Sequence, residues 1–348
     1  MFAASAVVGG LLAGAVLAEV GLRVSGYDIP SHRHYAPGFY QADPALTWRL
    51  QASYQGVYRG YEGDAPASTN AQGFRGPGWS AERLGAKRRV LCLGDSTTFG
   101  YGVADPDTFP RQLEGLLGPG AAVFNGGVPG YGTVQELALA PELIAELRPQ
   151  VVVLTWLPND VLEGRGGGKV EVIDGHLVSN RKRYEKRKKR WEGEGIHGSA
   201  LYRFVRAKVR ARSHSFEGWE ASLSEADLVE TRREIQALAR LVEEAGSRFL
   251  LVLLPRREEL ESSSDCSHYE RMRTWARASG LPCLDLFQVW RADPPNNEAH
   301  FLPRDGVHLK AAGYQRLAVA VASHEVFGKV GSPEPGATPP GEPVRRTQ

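Results

Sequence analysis

From Arg89 onward, short runs of aliphatic residues alternate with longer amphipathic stretches, and this alternation restricts the fold more than any other feature of the chain. The apolar runs fall at 90–93, 122–124, 151–156, 249–254 and 281–284, and the stretches with helical spacing at 107–117, 133–147, 225–245, 268–279 and 310–325. Strands that are apolar on both faces need cover on both faces, which parallel sheets obtain from the helices that connect them. The order predicts one doubly wound, three-layer α/β/α domain over residues 88–328.

A chain of 348 residues with 42% hydrophobic side chains can fill a core of that size. The formal net charge of +2 gives no overall field for a nucleic acid, so any charged partner must be met locally. Cys92 reads as a core residue, while Cys266 and Cys283 leave a disulfide open, because separation along the chain does not set the distance between them. The three cysteines lack zinc or redox spacing.

Between Phe2 and Ala18 every residue except Ser5 is apolar or glycine, and Glu19 is the first acid. Residues 1–24 therefore read as a membrane anchor or a signal segment, since a span needs about 20 helical residues. The expected placement is anchored, with the main domain outside the cytoplasm, or secreted. Arg23 and Arg33 behind the segment weigh toward the cytoplasmic side, so the side stays open. Residues 25–87, rich in Tyr, Gly, Pro and Trp, form an irregular lead-in that packs on the main domain. Residues 161–220 interrupt the alternation with Gly164 to Gly168 and a run at 181–190 holding eight Lys or Arg. That insertion reads as a solvated, self-repelling arm or as a surface for anionic lipid or an acidic polymer. Residues 329–348, dense in Pro and Gly, are expected to be a disordered tail.

The first strand runs directly into Gly94, Asp95, Ser96, Thr97, Thr98, Phe99 and Gly100. Ligands of open α/β sheets collect at the carboxyl ends of strands, so Ser96 is placed to act. A phosphate-binding loop would need a following Lys and different glycine spacing, and the Gly-x-Ser-x-Gly elbow fails at Thr98. A serine hydroxyl needs a base, and the base an orienting acid. Asp305 and His308, separated by Gly306 and Val307 just before the last helical stretch, carry that spacing. Oxyanion donors can come from two loops after strands, Asn125, Gly126 and Gly127 after the second, and Pro158, Asn159 and Asp160 after the third.

Together these four stations resemble the SGNH (GDSL-like) hydrolase family over about residues 88–325: Gly-Asp-Ser at 94–96, the glycine of an Asn-x-Gly loop at Gly127, the asparagine of the third block at Asn159, and Asp-x-x-His at 305–308. One departure is Leu157, where that block has glycine. The resemblance implies a flavodoxin-like parallel sheet, a triad of Ser96, His308 and Asp305, and an oxyanion hole from the Ser96 and Gly127 N–H groups and the Asn159 side chain. It implies a serine esterase that needs no metal or organic cofactor. The lead-in, with Thr69, Asn70, Ala71, Gln72, Gly73, Phe74, Arg75 and Gly76, resembles that of a bacterial subgroup with an N-terminal apolar anchor, members of which are often linked with acyl groups on cell-surface glycans or lipids. Two rival readings share these residues: an O-acyltransferase of cell-surface polysaccharide, and a non-catalytic carbohydrate-binding module at the membrane. Acyl chain length and oligomeric state are not specified by the sequence.

Overall fold

The computed structural model describes residues 2–27, 34–60, 63–161, 163, 170–213, 223–261, 266–294, 297–302 and 306–328. Gly164 to Gly168, Asp305 and the expected tail at 329–348 lie outside the described residues.

An exposed apolar helix, α1 (Phe2–Val24), opens the chain. The main domain follows as β1 (Arg88–Gly94), α2 (Ser96–Phe99), α3 (Phe109–Leu117), β2 (Ala121–Gly127), α4 (Thr133–Leu147) and β3 (Val151–Trp156). It continues as α5 (Arg181–Trp191), α6 (Ala200–Ser213), α7 (Glu225–Glu244), β4 (Arg248–Leu253), α8 (Ser267–Ala278), β5 (Cys283–Asp285) and α9 (Ala311–Ala322). The five strands form one parallel sheet in the order β2-β1-β3-β4-β5. This is the doubly wound, flavodoxin-like order, in which the chain reverses direction across the sheet between β1 and β3.

Strand residues alternate between two cores. Leu91, Leu93, Val152, Leu154, Phe249 and Leu251 face α4, α7 and α8, whereas Val90, Cys92, Val151, Val153, Leu250 and Val252 face α3 and α9. Each fully buried aliphatic side chain contributes about 1.5–3 kcal/mol. Helix α7 shows why its sequence folds as it does. Ser224 and Asp227 cap its start reciprocally, and Leu228, Thr231, Ile235, Leu238, Ala239 and Val242 recur at helical spacing on its buried side.

The lead-in is more regular than its composition suggests. Strands His34–Tyr35, Gln55–Gly60 and Gly63–Ser68 form one antiparallel sheet, and Tyr40–Asp43 pairs with Thr47–Leu50. Tyr35, Phe39, Trp48, Tyr54, Tyr58 and Phe74 are buried in the same core as Leu91 and Leu93. Arg75 reaches further, donating to the carbonyls of Pro66, Gly100 and Val103 beneath the Phe99 ring.

The basic run at 181–190 forms helix α5. Asn180 caps its N-terminus, and Asp174 accepts from Tyr184 and Lys188, so local partners offset part of the like-charge repulsion. Cys92, Cys266 and Cys283 are all free thiols.

Candidate active site

β1 ends on Gly94, whose φ is +151°. A Cβ there would lie 2.2 Å from Thr98 Oγ1 and 2.3 Å from Thr155 Oγ1, so both conformation and space demand glycine. The chain turns at once into α2, with Ser96 as its first residue and Asp95 as its cap, accepting from the Thr97 N–H at 2.8 Å. Thr98 and Thr155 hydroxyls hydrogen-bond each other and tie this turn to β3. Ser96 therefore stands at the carboxyl ends of β1 and β3, where the sheet order reverses.

His308 arrives from the far end of the chain. Phe301 and Leu309 form an antiparallel bridge, and the Leu302 N–H donates to the His308 carbonyl at 2.9 Å, which fixes the backbone just before α9. The result places His308 Nε2 2.7 Å from Ser96 Oγ. Asp305, the expected acid, lies outside the described residues.

The third block is held without its glycine. Leu157 is fully buried, its N–H donates to Asp160 Oδ2 at 2.8 Å, and Asp160 donates back to the Leu157 carbonyl at 3.1 Å. That closed turn aims Asn159 at the site, with Nδ2 3.2 Å from Asp95 Oδ2. The same Asp95 oxygen accepts from Ser96 Oγ at 3.2 Å, so one buried carboxylate links both residues.

Gly127 closes β2 against the backbone of α2. Its N–H donates to Asn125 Oδ1 at 2.9 Å, within its own loop. A Cβ at this position would lie 2.3 Å from the Phe99 nitrogen. The glycine thus allows β2 to press against the backbone of α2. Three residues on, Gly130 adopts φ +86°, and its N–H has no acceptor among the described residues.

Two features of the site were not read from the sequence. Tyr101 stacks on the His308 imidazole, ring centres 3.9 Å apart and planes at 22°. Its N–H donates to the Ser96 carbonyl at 3.0 Å, and its hydroxyl hydrogen-bonds that of Tyr58 from the lead-in. No spacing rule marks a tyrosine after a glycine, so only the three-dimensional approach finds it. Behind Asp95 lies a carboxylate cluster, in which Asp95, Asp160 and Glu163 each place an oxygen within 4.8 Å of the others. Burial, then the negative charges of Asp95 and Glu163, pushes the neighbouring Glu136 carboxyl well above the usual range. Burial, then Asp95 and Glu136, does the same to Asp160. Such spacing suits a divalent cation in principle, but both Asp95 oxygens are engaged by Thr97, Ser96 and Asn159.

An 82-residue segment is 33% identical to an arylesterase of Vibrio mimicus, spanning 23% of this chain and 41% of that relative's length. Among solved structures, TesA covers 70% of this chain and 99% of its own at 15% identity, with a TM-score of 0.44. A lipase/acylhydrolase from Enterococcus faecalis covers 69% and 96% at 18% identity, with a TM-score of 0.40. The GDSL-like lipase/acylhydrolase family matches residues 92–316, about two thirds of the chain, and the protein belongs to that family.

Proposed function

We propose that the protein is a membrane-anchored serine esterase that hydrolyses an acyl ester through Ser96 and His308. The observation that carries this reading is the 2.7 Å approach of His308 Nε2 to Ser96 Oγ at the switch point of the sheet. Ser96 Oγ gives its proton to His308 while attacking the ester carbonyl carbon, and the carbonyl oxygen becomes an oxyanion. Collapse expels the alcohol, which takes the proton back from His308 and leaves an acyl-serine. Water, deprotonated by the same imidazole, then releases the acid and restores Ser96. Asp305, three residues before His308, is the expected partner of the other ring nitrogen.

The oxyanion would be met by the N–H of Ser96, by one Asn159 amide hydrogen and by the Gly130 N–H in place of that of Gly127. Asn159 has two amide hydrogens, so its bond to Asp95 leaves one for substrate. The substrate class that fits an anchored member of this family is an O-acetyl group of a glycan or an ester of a lipid. Helix α1 serves as the anchor, its residues Ser5–Val24 long and apolar enough to cross a bilayer and none of them buried.

Turnover of p-nitrophenyl acetate by the full chain in detergent tests the proposal. Ser96→Ala should lower kcat by roughly 10⁴–10⁶ fold, and equal rates for the two proteins would end it.

A further inference from the structure

Exposed apolar side chains in this protein are concentrated in two places. Of sixteen large ones among the described residues, eight belong to α1 and three, Ile196, Val205 and Val209, to α6 and the turn before it. These two groups are held together. The Glu19 carboxylate accepts from the N–H groups of Ala200 at 3.0 Å and Leu201 at 2.8 Å and from the Ser199 hydroxyl at 2.8 Å, satisfying the donors at the start of α6. Arg23 donates to the Gly198 carbonyl at 2.9 Å, and Tyr27 meets Phe204 edge-on at 5.6 Å. Helix α6 therefore begins beside the C-terminal end of α1.

Distances along α1 set the depth of that junction. At 1.5 Å per residue, the uncharged stretch Phe2–Ala18 is about 26 Å long, at the lower limit for crossing a hydrocarbon core, and Glu19 follows it directly. The junction thus falls at headgroup level. On α6, Val205, Lys208 and Val209 are exposed at positions that share one face, an arrangement suited to lying in an interface with the lysine reaching to the headgroups. On α5, Lys182, Arg183, Lys186 and Lys189 are exposed and make no ion pair among the described residues.

We propose that α5 and α6 form a surface that lies on anionic phospholipid headgroups where α1 leaves the bilayer. The occupant follows from continuity with the apolar helix and from the charge of α5, whose ten residues 181–190 include a single acid, Glu185. The proposal rests on α1 as an anchor and is independent of the role of Ser96.

Hydrogen exchange of the full chain in lipid nanodiscs tests it. In discs of about 30% phosphatidylglycerol, amides of residues 181–209 should exchange about 5-fold more slowly than in pure phosphatidylcholine, and about 0.5 M salt should abolish the difference. A Lys182→Glu, Lys186→Glu, Lys189→Glu variant should lose the difference while its Ser96 reacts with a fluorophosphonate at the wild-type rate. Incorporation into both discs with equal exchange would overturn the surface while leaving the anchor standing. Failure to enter either disc would remove the anchor and the surface with it, and protection gained only from a soluble anionic polysaccharide would also overturn the proposal.

Discussion

The Tyr101 ring lies nearly parallel to the His308 imidazole, 3.9 Å between centres, and the Tyr101 hydroxyl is hydrogen-bonded to that of Tyr58. The lead-in and the candidate base are thereby one packed unit. Replacing Tyr101 by Leu removes both the stack and the hydroxyl link. Expected is a fall in kcat of about 10–100 fold with KM nearly unchanged, because a misaligned proton acceptor affects the chemical step rather than binding. Tyr58→Phe should give a smaller loss in the same parameter. Steady-state kinetics with p-nitrophenyl acetate decide, and an unaltered kcat for Tyr101→Leu would show that the ring has no part in placing the imidazole.

Gly127 and Asn159 separate structure from chemistry. With its Cβ forced to 2.3 Å from a backbone nitrogen, Gly127→Ala should destabilise the fold by about 1–3 kcal/mol or more, seen as a lower thermal midpoint. Asn159→Ala should keep a near-native midpoint yet lose about 10²–10³ in kcat. An unchanged midpoint for Gly127→Ala would show that the glycine is not needed for that close approach.

Arg75 is 3% exposed and donates to three backbone carbonyls, two of them at the end of α2 and just beyond it. Desolvation lowers its pKa, so the charge is held there at a cost that those carbonyls and the more distant Asp105 offset. Arg75→Met should cost about 2–4 kcal/mol by leaving buried acceptors unpaired. Denaturant unfolding that matched wild type would contradict the account.

Glu136 predicts a pH dependence. Its folded-state carboxyl is pushed above its unfolded value by burial and by Asp95 and Glu163, so folding favours the protonated form. Below the ordinary carboxylate range both states are protonated and nothing is lost. As pH rises through that range toward the raised folded value, the unfolded chain ionises first and stability falls. Glu136→Gln removes this penalty, so its thermal midpoint should exceed wild type by a few degrees at pH 8 and match it near pH 4. An equal gap at both values would show that ionisation is not the cause.

The sheet was legible because both faces of its strands are apolar. The runs at 90–93 and 151–156 fall within or coincide with β1 and β3, and the helical stretch at 133–147 is α4 itself. The run at 281–284 was less well bounded. There Pro282 accepts from Leu251 outside the strand, and Asp285 closes it by capping the next helix. Ser96 and His308 could be singled out because a turn glycine and a short-range acid mark them. Tyr101 could not, since its partner is more than two hundred residues away in sequence and its stacking has no period. The engagement of the Gly127 N–H was hidden for a related reason. That residue's spacing fits a loop donor, but the neighbouring Asn125 side chain takes the N–H, a competition visible only in coordinates. The basic run at 181–190 looked self-repelling, and became helical because Asn180, Asp174 and Glu171 supply a cap and two counter-charges.

The pairing of Ser96 with His308 joins positions 212 residues apart. A ribosome that has released β1 and α2 has made the Ser96 hydroxyl without its partner, and it must add almost all of the remaining domain before the imidazole exists to meet it. On the mechanism proposed above, acyl chemistry at Ser96 is thus withheld from the nascent chain until His308 has emerged and the last helix has packed, and a truncated product carries an inert hydroxyl.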